Sequence, residues 1–152
     1  MSDPDADATD LDTLFPERTL TVAGQPVTVH ELTFIQSLHL HASLAPVLEA
    51  LAPHYGAEGI GSDTVIGALA QHPQVACALL AAATRQSEEW IAALPEHDGY
   101  LLLLTFVAIH IPFFATRLEL ARQMAQALGR VMAATLAKSS RGSSATDTTT
   151  RQ

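Results

Sequence analysis

A single cysteine, Cys77, stands in the sequence, so no disulfide and no thiolate zinc site can form within one chain. Basic residues are scarce too: eight Lys and Arg face sixteen Asp and Glu, for a formal net charge of −8. No short run concentrates them, which argues against a nucleic-acid partner bound through its phosphates. Aromatics make up only 5% of the chain, and much of the apolar content is Ala and Leu. That mixture favours helices over sheets, because Ala and Leu lose little conformational freedom in a helix. The first residues lack the basic-then-apolar order of a secretion signal, so the expected setting is a reducing cytoplasm.

The 152 residues suffice for one domain, and a hydrophobic fraction of 48% argues against global disorder. Acidity is uneven: Asp3, Asp5, Asp7, Asp10, Asp12 and Glu17 precede the first base, Arg18. Residues 1–17 therefore read as a disordered, solubilising acidic leader. Residues 139–152 read as a disordered polar tail, with little to bury. Between them, residues 18–138 are expected to form one mainly α domain, a helical bundle preceded by a short β-hairpin.

The hairpin is read over residues 19–32. Leu20 and Val22 alternate with Thr19 and Thr21, and Val27 and Val29 with Thr28 and His30, around a turn at Ala23-Gly24-Gln25-Pro26. Such a hairpin is marginal in water alone, so its apolar face must pack on a helix or a neighbouring subunit. Thr33 and Gln36 make a capping box for a helix running to about residue 52, which Pro46 should kink or split near Ala45. A glycine-containing loop follows at residues 54–62, then a short helix capped by Asp63 to about Gln71, and two more at 74–85 and 87–94. Asp98 offers a cap for the next element. Residues 100–116 contain no charge, and 117–138 form an amphipathic stretch with Leu118, Ala121, Ala125, Leu128 and Met132 on one face.

No constellation of residues points to catalysis. His30-Glu31 opens like a zinc-protease motif, but Phe34 stands where the second histidine belongs. His39 and His41 point about 200° apart on a helix and cannot share one ion. Gly56, Gly59 and Gly61 reverse the dinucleotide-binding order and read as a connector. Cys77 lies in an apolar run that raises a thiol pKa instead of activating it. The expectation is a binding protein, not an enzyme, with no cofactor and no metal.

The apolar run 100–116 has two readings, a soluble core or subunit interface and a membrane span. With 17 uncharged residues it is short for a span and holds His110 and Pro112, which favours the first. A kink at Pro112 would present Phe113 and Phe114 outward as anchors for a partner; alternatively both fill the domain's own core. The order of features, from the acidic leader and Thr/Val hairpin through Leu44-Ala-Pro-Val-Leu48 to Phe113-Phe114-Ala-Thr-Arg-Leu118, resembles the small tail assembly chaperones of tailed phages and prophages. The resemblance spans roughly residues 14–130. It implies a chain that binds the long, apolar, helical tape-measure protein in the host cytoplasm. Such a chain keeps that protein soluble and helps tail-tube protein assemble around it. Phe113, Phe114 and Leu118, with neighbouring Leu103 and Phe106, would then be the contacts. Self-association is a further expected property, while nucleic acid and membrane are not expected partners. The alternatives are a structural or regulatory helical oligomer and a membrane-associated protein using residues 100–116.

Overall fold

Alternation of threonine with valine and leucine fixes the first element. In a computed structural model that describes residues 17–141, β1 (Arg18–Val22) pairs antiparallel with β2 (Gln25–Val29), with Leu20 opposite Val27. The leader assigned to 1–17 and the tail assigned to 139–152 lie outside the described residues, apart from Glu17 and residues 139–141. Only Ala23 and Gly24 make the turn, with φ of +50° and +78°. Positive φ at both central positions matches the twist of the flanking strands. Gln25 and Pro26, expected in the turn, instead belong to β2, where Pro26 faces Thr21. One face of the hairpin carries Val22, Val27 and Val29, all buried.

Thr33 caps α1 (Phe34–His39), with the reciprocal Gln36 bond of a full capping box. The chain then turns at Leu40 and continues as α2 (His41–Leu51), which runs through Pro46 without interruption. The expected break at Ala45 is thus displaced to Leu40. Pro46 has no N–H to offer the carbonyl of Ala42, but Ala42 is exposed, so water can satisfy that group. A 3₁₀ turn (Ala52–His54) and a loop closed by a Gly56–Gly59 bridge lead to α3 (Ser62–Ala70). Gly61, not Asp63, occupies the cap of α3; Asp63 sits in the first turn, where a negative charge suits the helix dipole. After His72-Pro73 the chain bends by 116° into α4 (Pro73–Thr84). Ser87 then caps the short α5 (Glu88–Ala92).

The last element, α6 (Glu96–Arg141), is a single 46-residue helix. Its continuity joins the two expected stretches, 100–116 and 117–138, and the helix runs through Pro112 without interruption. Both Pro112 and Ala108, whose carbonyl loses its donor, face outward, so the missing hydrogen bond falls on the wet side. Asp98 does not cap this helix; its carboxylate accepts a hydrogen bond from the Ala23 N–H at 3.2 Å, 75 residues away. The first half of α6 is the axis of the core. Leu102, Phe106, Val107, Phe114 and Leu118 pack among Leu44, Val47, Leu51, Val65, Leu69, Leu79 and the hairpin valines. The domain is therefore mainly α, led by a two-stranded hairpin.

Candidate partner-binding face

Two bonds lock the hairpin's exit to the core helix. His110, 1% exposed, uses Nδ1–H to bond the Phe106 carbonyl at 2.9 Å, leaving Nε2 to accept the Leu32 N–H at 3.2 Å. These roles need the neutral ring, and burial holds its pKa below the ordinary value of 6.5. The imidazole also stacks on Phe106, with centroids 4.1 Å apart. His110 is a structural connector that the sequence offered only as an oddity inside an apolar run.

Beyond Leu118 the helix leaves the core behind. Residues 120–141 are exposed throughout, yet the segment is far from polar. Leu120, Met124, Leu128, Val131, Met132 and Leu136 are each between 54 and 72% exposed. At about 100° per residue they fall on one broad arc, whereas Glu119, Arg122, Gln123, Gln126 and Arg130 occupy the other. The polar arc is organised at its root. Glu119 accepts bonds from Arg122 at 2.7 and 3.1 Å, from Gln123 at 2.8 Å and from the Tyr55 hydroxyl at 3.2 Å. The Arg122 bonds, followed by that of Gln123, draw the Glu119 carboxyl down to about 2.

Two grooves flank the point where the helix departs. One, of about 340 Å³, is lined by Leu48, Ala52, Leu118, Ala121 and Ala125. The other, of about 470 Å³, is lined by Leu32, Phe34, Pro112, Phe113, Thr116 and Leu120. Phe34 at its rim is 74% exposed. The apolar face thus runs without a gap from these grooves to Leu136.

The five residues expected as contacts divide. Phe106 and Phe114 are fully buried and Leu118 is 4% exposed, so these three fill the domain's own core. The expectation that Phe114 is presented outward is corrected: the helix is unbroken at Pro112, and helical spacing keeps Phe114 in line with Phe106, Val107 and Leu118. Leu103 and Phe113 are partly buried against the core. Phe113 still reaches the second groove, with the Arg117 guanidinium 4.7 Å from its ring centroid. The larger apolar face lies further along, at Leu120–Leu136, of which the sequence had shown Leu128 and Met132.

Elsewhere, no group of three or more His, Cys, Asp or Glu gathers in metal-binding reach among the described residues. Cys77 is partly buried and donates to the Glu88 carbonyl at 3.3 Å; burial first, then Glu88, pushes its thiol pKa up. By length and composition alone α6 is apolar enough to cross a membrane, with a mean hydropathy of 1.9 over its most apolar 18 residues, of which 39% are buried in the domain.

Fold and site together define a hairpin-led helical domain whose last helix carries a bare apolar face beyond the core. The chain belongs to the DUF6631 family, a family of unknown function, whose model matches residues 10–152. No curated protein and no solved structure matches it.

Proposed function

We propose that this protein is an assembly chaperone that shields an apolar helical protein until that protein is built into a larger structure. The observation that carries this reading is the amphipathic second half of α6, whose apolar arc has no cover among the described residues. Six large apolar side chains there expose on the order of 600 Å², at the upper end of what a monomer leaves bare and a mark of interaction surfaces. A helix face of this kind is suited to lie along a partner's apolar stripe, with anchors spaced by three and four residues. The resemblance to phage tail assembly chaperones supplies the client: the tape-measure protein, kept soluble in the host cytoplasm while tail-tube protein assembles around it.

Co-expression with a tape-measure protein, followed by pull-down and size exclusion, tests the reading. The expected result is a client that is soluble only in this protein's presence and co-elutes with it. Met124→Asp with Leu128→Asp should abolish co-elution and leave the thermal melt of the domain unchanged. A client that stays in the pellet beside soluble wild-type protein overturns the proposal. A second reading, membrane association, draws on the hydropathy of α6. Retention of the protein in the membrane pellet after carbonate extraction is the result that would favour it.

A further inference from the structure

The bare face of α6 is flanked by an unequal distribution of charge within the same chain. Five of the eight Lys and Arg residues, namely Arg117, Arg122, Arg130, Lys138 and Arg141, lie between 117 and 141, against the single acid Glu119. At 100° per residue Arg117 and Lys138 fall within the apolar arc, one at each end. Residues 1–17 carry the opposite pattern: six acids, no base, and Leu11, Leu14 and Phe15 spaced by three and one. The family match begins at residue 10 and so takes in those three apolar residues.

The hairpin aims this segment at the helix. Its turn meets α6 at Asp98, through the Ala23 bond, and its open end meets α6 near His110, through the Leu32 bond. Those anchors are twelve residues apart on the helix, or about 18 Å, the length of a five-residue strand at about 17 Å. β1 therefore runs opposite to α6, and Arg18 lies at the end of the hairpin nearer Arg117 and Leu120. Glu17 is held at this exit by its bond to His30 Nδ1 at 2.7 Å. The groove lined by Phe34, Phe113, Arg117 and Leu120 also takes in Leu32 and His110, where the open end of the hairpin meets α6. From Glu17, fourteen residues of extended chain reach about 46 Å. Leu120 to Arg141 spans about 32 Å, beginning about 15 Å beyond His110.

We infer that the acidic N-terminal segment, residues 3–15, covers the apolar face of α6 in cis, with Leu14 and Phe15 seated in the groove at its root. The segment is then an internal competitor for the surface that any partner must use. A second copy of the chain is the poorer occupant, because pairing two such helices sets one basic row against another. The inference concerns the isolated protein and stands or falls apart from the identity of any client.

Paramagnetic relaxation tests it on the full-length chain. A nitroxide at Ala127→Cys, at the edge of the face, in a Cys77→Ala background should broaden the amide signals of residues 5–15 in the same molecule. Mixing unlabelled ¹⁵N protein with spin-labelled ¹⁴N protein should leave them sharp. Leu14→Ser with Phe15→Ser should restore sharp signals for the segment and raise bis-ANS fluorescence several-fold, with an unchanged thermal melt confirming that the domain is intact. Raising salt from 0.05 to 0.5 M should weaken the broadening, since charge attraction across the solvent is then screened. Sharp signals for residues 5–15 in the labelled molecule overturn the inference. So does equal broadening in the mixed sample, which would place a second copy on the face.

Discussion

From Glu96 to Leu118, α6 meets the hairpin, α2, α3 and α4 in turn; from Glu119 onward it meets little beyond Tyr55. The difference lies in how apolar residues are arranged around the helix. The first half carries no charge between 100 and 116 and is apolar on every side; its inward face fills the core, while Tyr100, Leu101 and Leu104 on the other remain part-exposed. In the second half charged and amide residues occupy one arc, so only the other arc gains from burial. A continuous backbone thus passes from a segment that supplies the domain's core to one whose apolar arc the domain leaves bare.

Substitutions separate the two halves sharply. Phe114→Ala should cost about 3–5 kcal/mol in urea unfolding, because it empties a fully buried site in the half that holds the core. A loss below about 1 kcal/mol would mean that the first half is packed no better than the second. His110→Leu should cost about 1–3 kcal/mol at pH 7, since the Leu32 N–H loses its acceptor while remaining part-buried. The same variant has a pH signature. Burial lowers the folded pKa of His110 below the ordinary 6.5, so between the two values the unfolded chain binds more protons. The stability owed to the neutral ring is complete above pH 6.5 and is lost as pH falls toward the lowered value. Wild-type protein should weaken over that window, and His110→Leu should lack that part of the loss.

Smaller effects complete the contrast. Arg85 ends α4 at φ +59°, a conformation that costs a side chain and suits glycine. Arg85→Gly should stabilise the domain by about 0.5–1 kcal/mol, read as a higher urea midpoint. Leu128→Ala, 61% exposed in the wild type, should shift unfolding by no more than about 0.5 kcal/mol while weakening partner binding. A large loss of stability from Leu128→Ala would show that the second half is already packed as tightly as the first.

Much of the fold is legible in the sequence because the signals are local. Thr33-x-x-Gln36 caps a helix by two short-range bonds, and alternation at Leu20, Val22, Val27 and Val29 marks one face of a hairpin. Neither proline interrupts its helix. A rule about Pro46 or Pro112 counts the lost hydrogen bond but not whether the orphaned carbonyl of Ala42 or Ala108 faces water. The turn at Leu40 has no sequence marker at all. As for the site, the amphipathic pattern at Leu118–Met132 announces that one face seeks burial without saying what covers it. Phe113 and Phe114 drew attention because aromatics anchor interfaces, yet one helical step of about 100° separates a groove wall from the core.

The bonds from Ala23 to Asp98 and from Leu32 to His110 also carry a consequence for biosynthesis. They join residues 75 and 78 positions apart, so the hairpin leaves the ribosome long before the helix that receives it exists. At roughly 5–20 residues per second, that interval is about 4–16 s. During this time the hairpin valines have no lasting shelter, because a lone two-stranded hairpin is marginal in water. Completion of the domain therefore waits on translation of the first half of α6, and a pause upstream of residue 110 prolongs the exposure of an uncovered hairpin to its neighbours on the polysome.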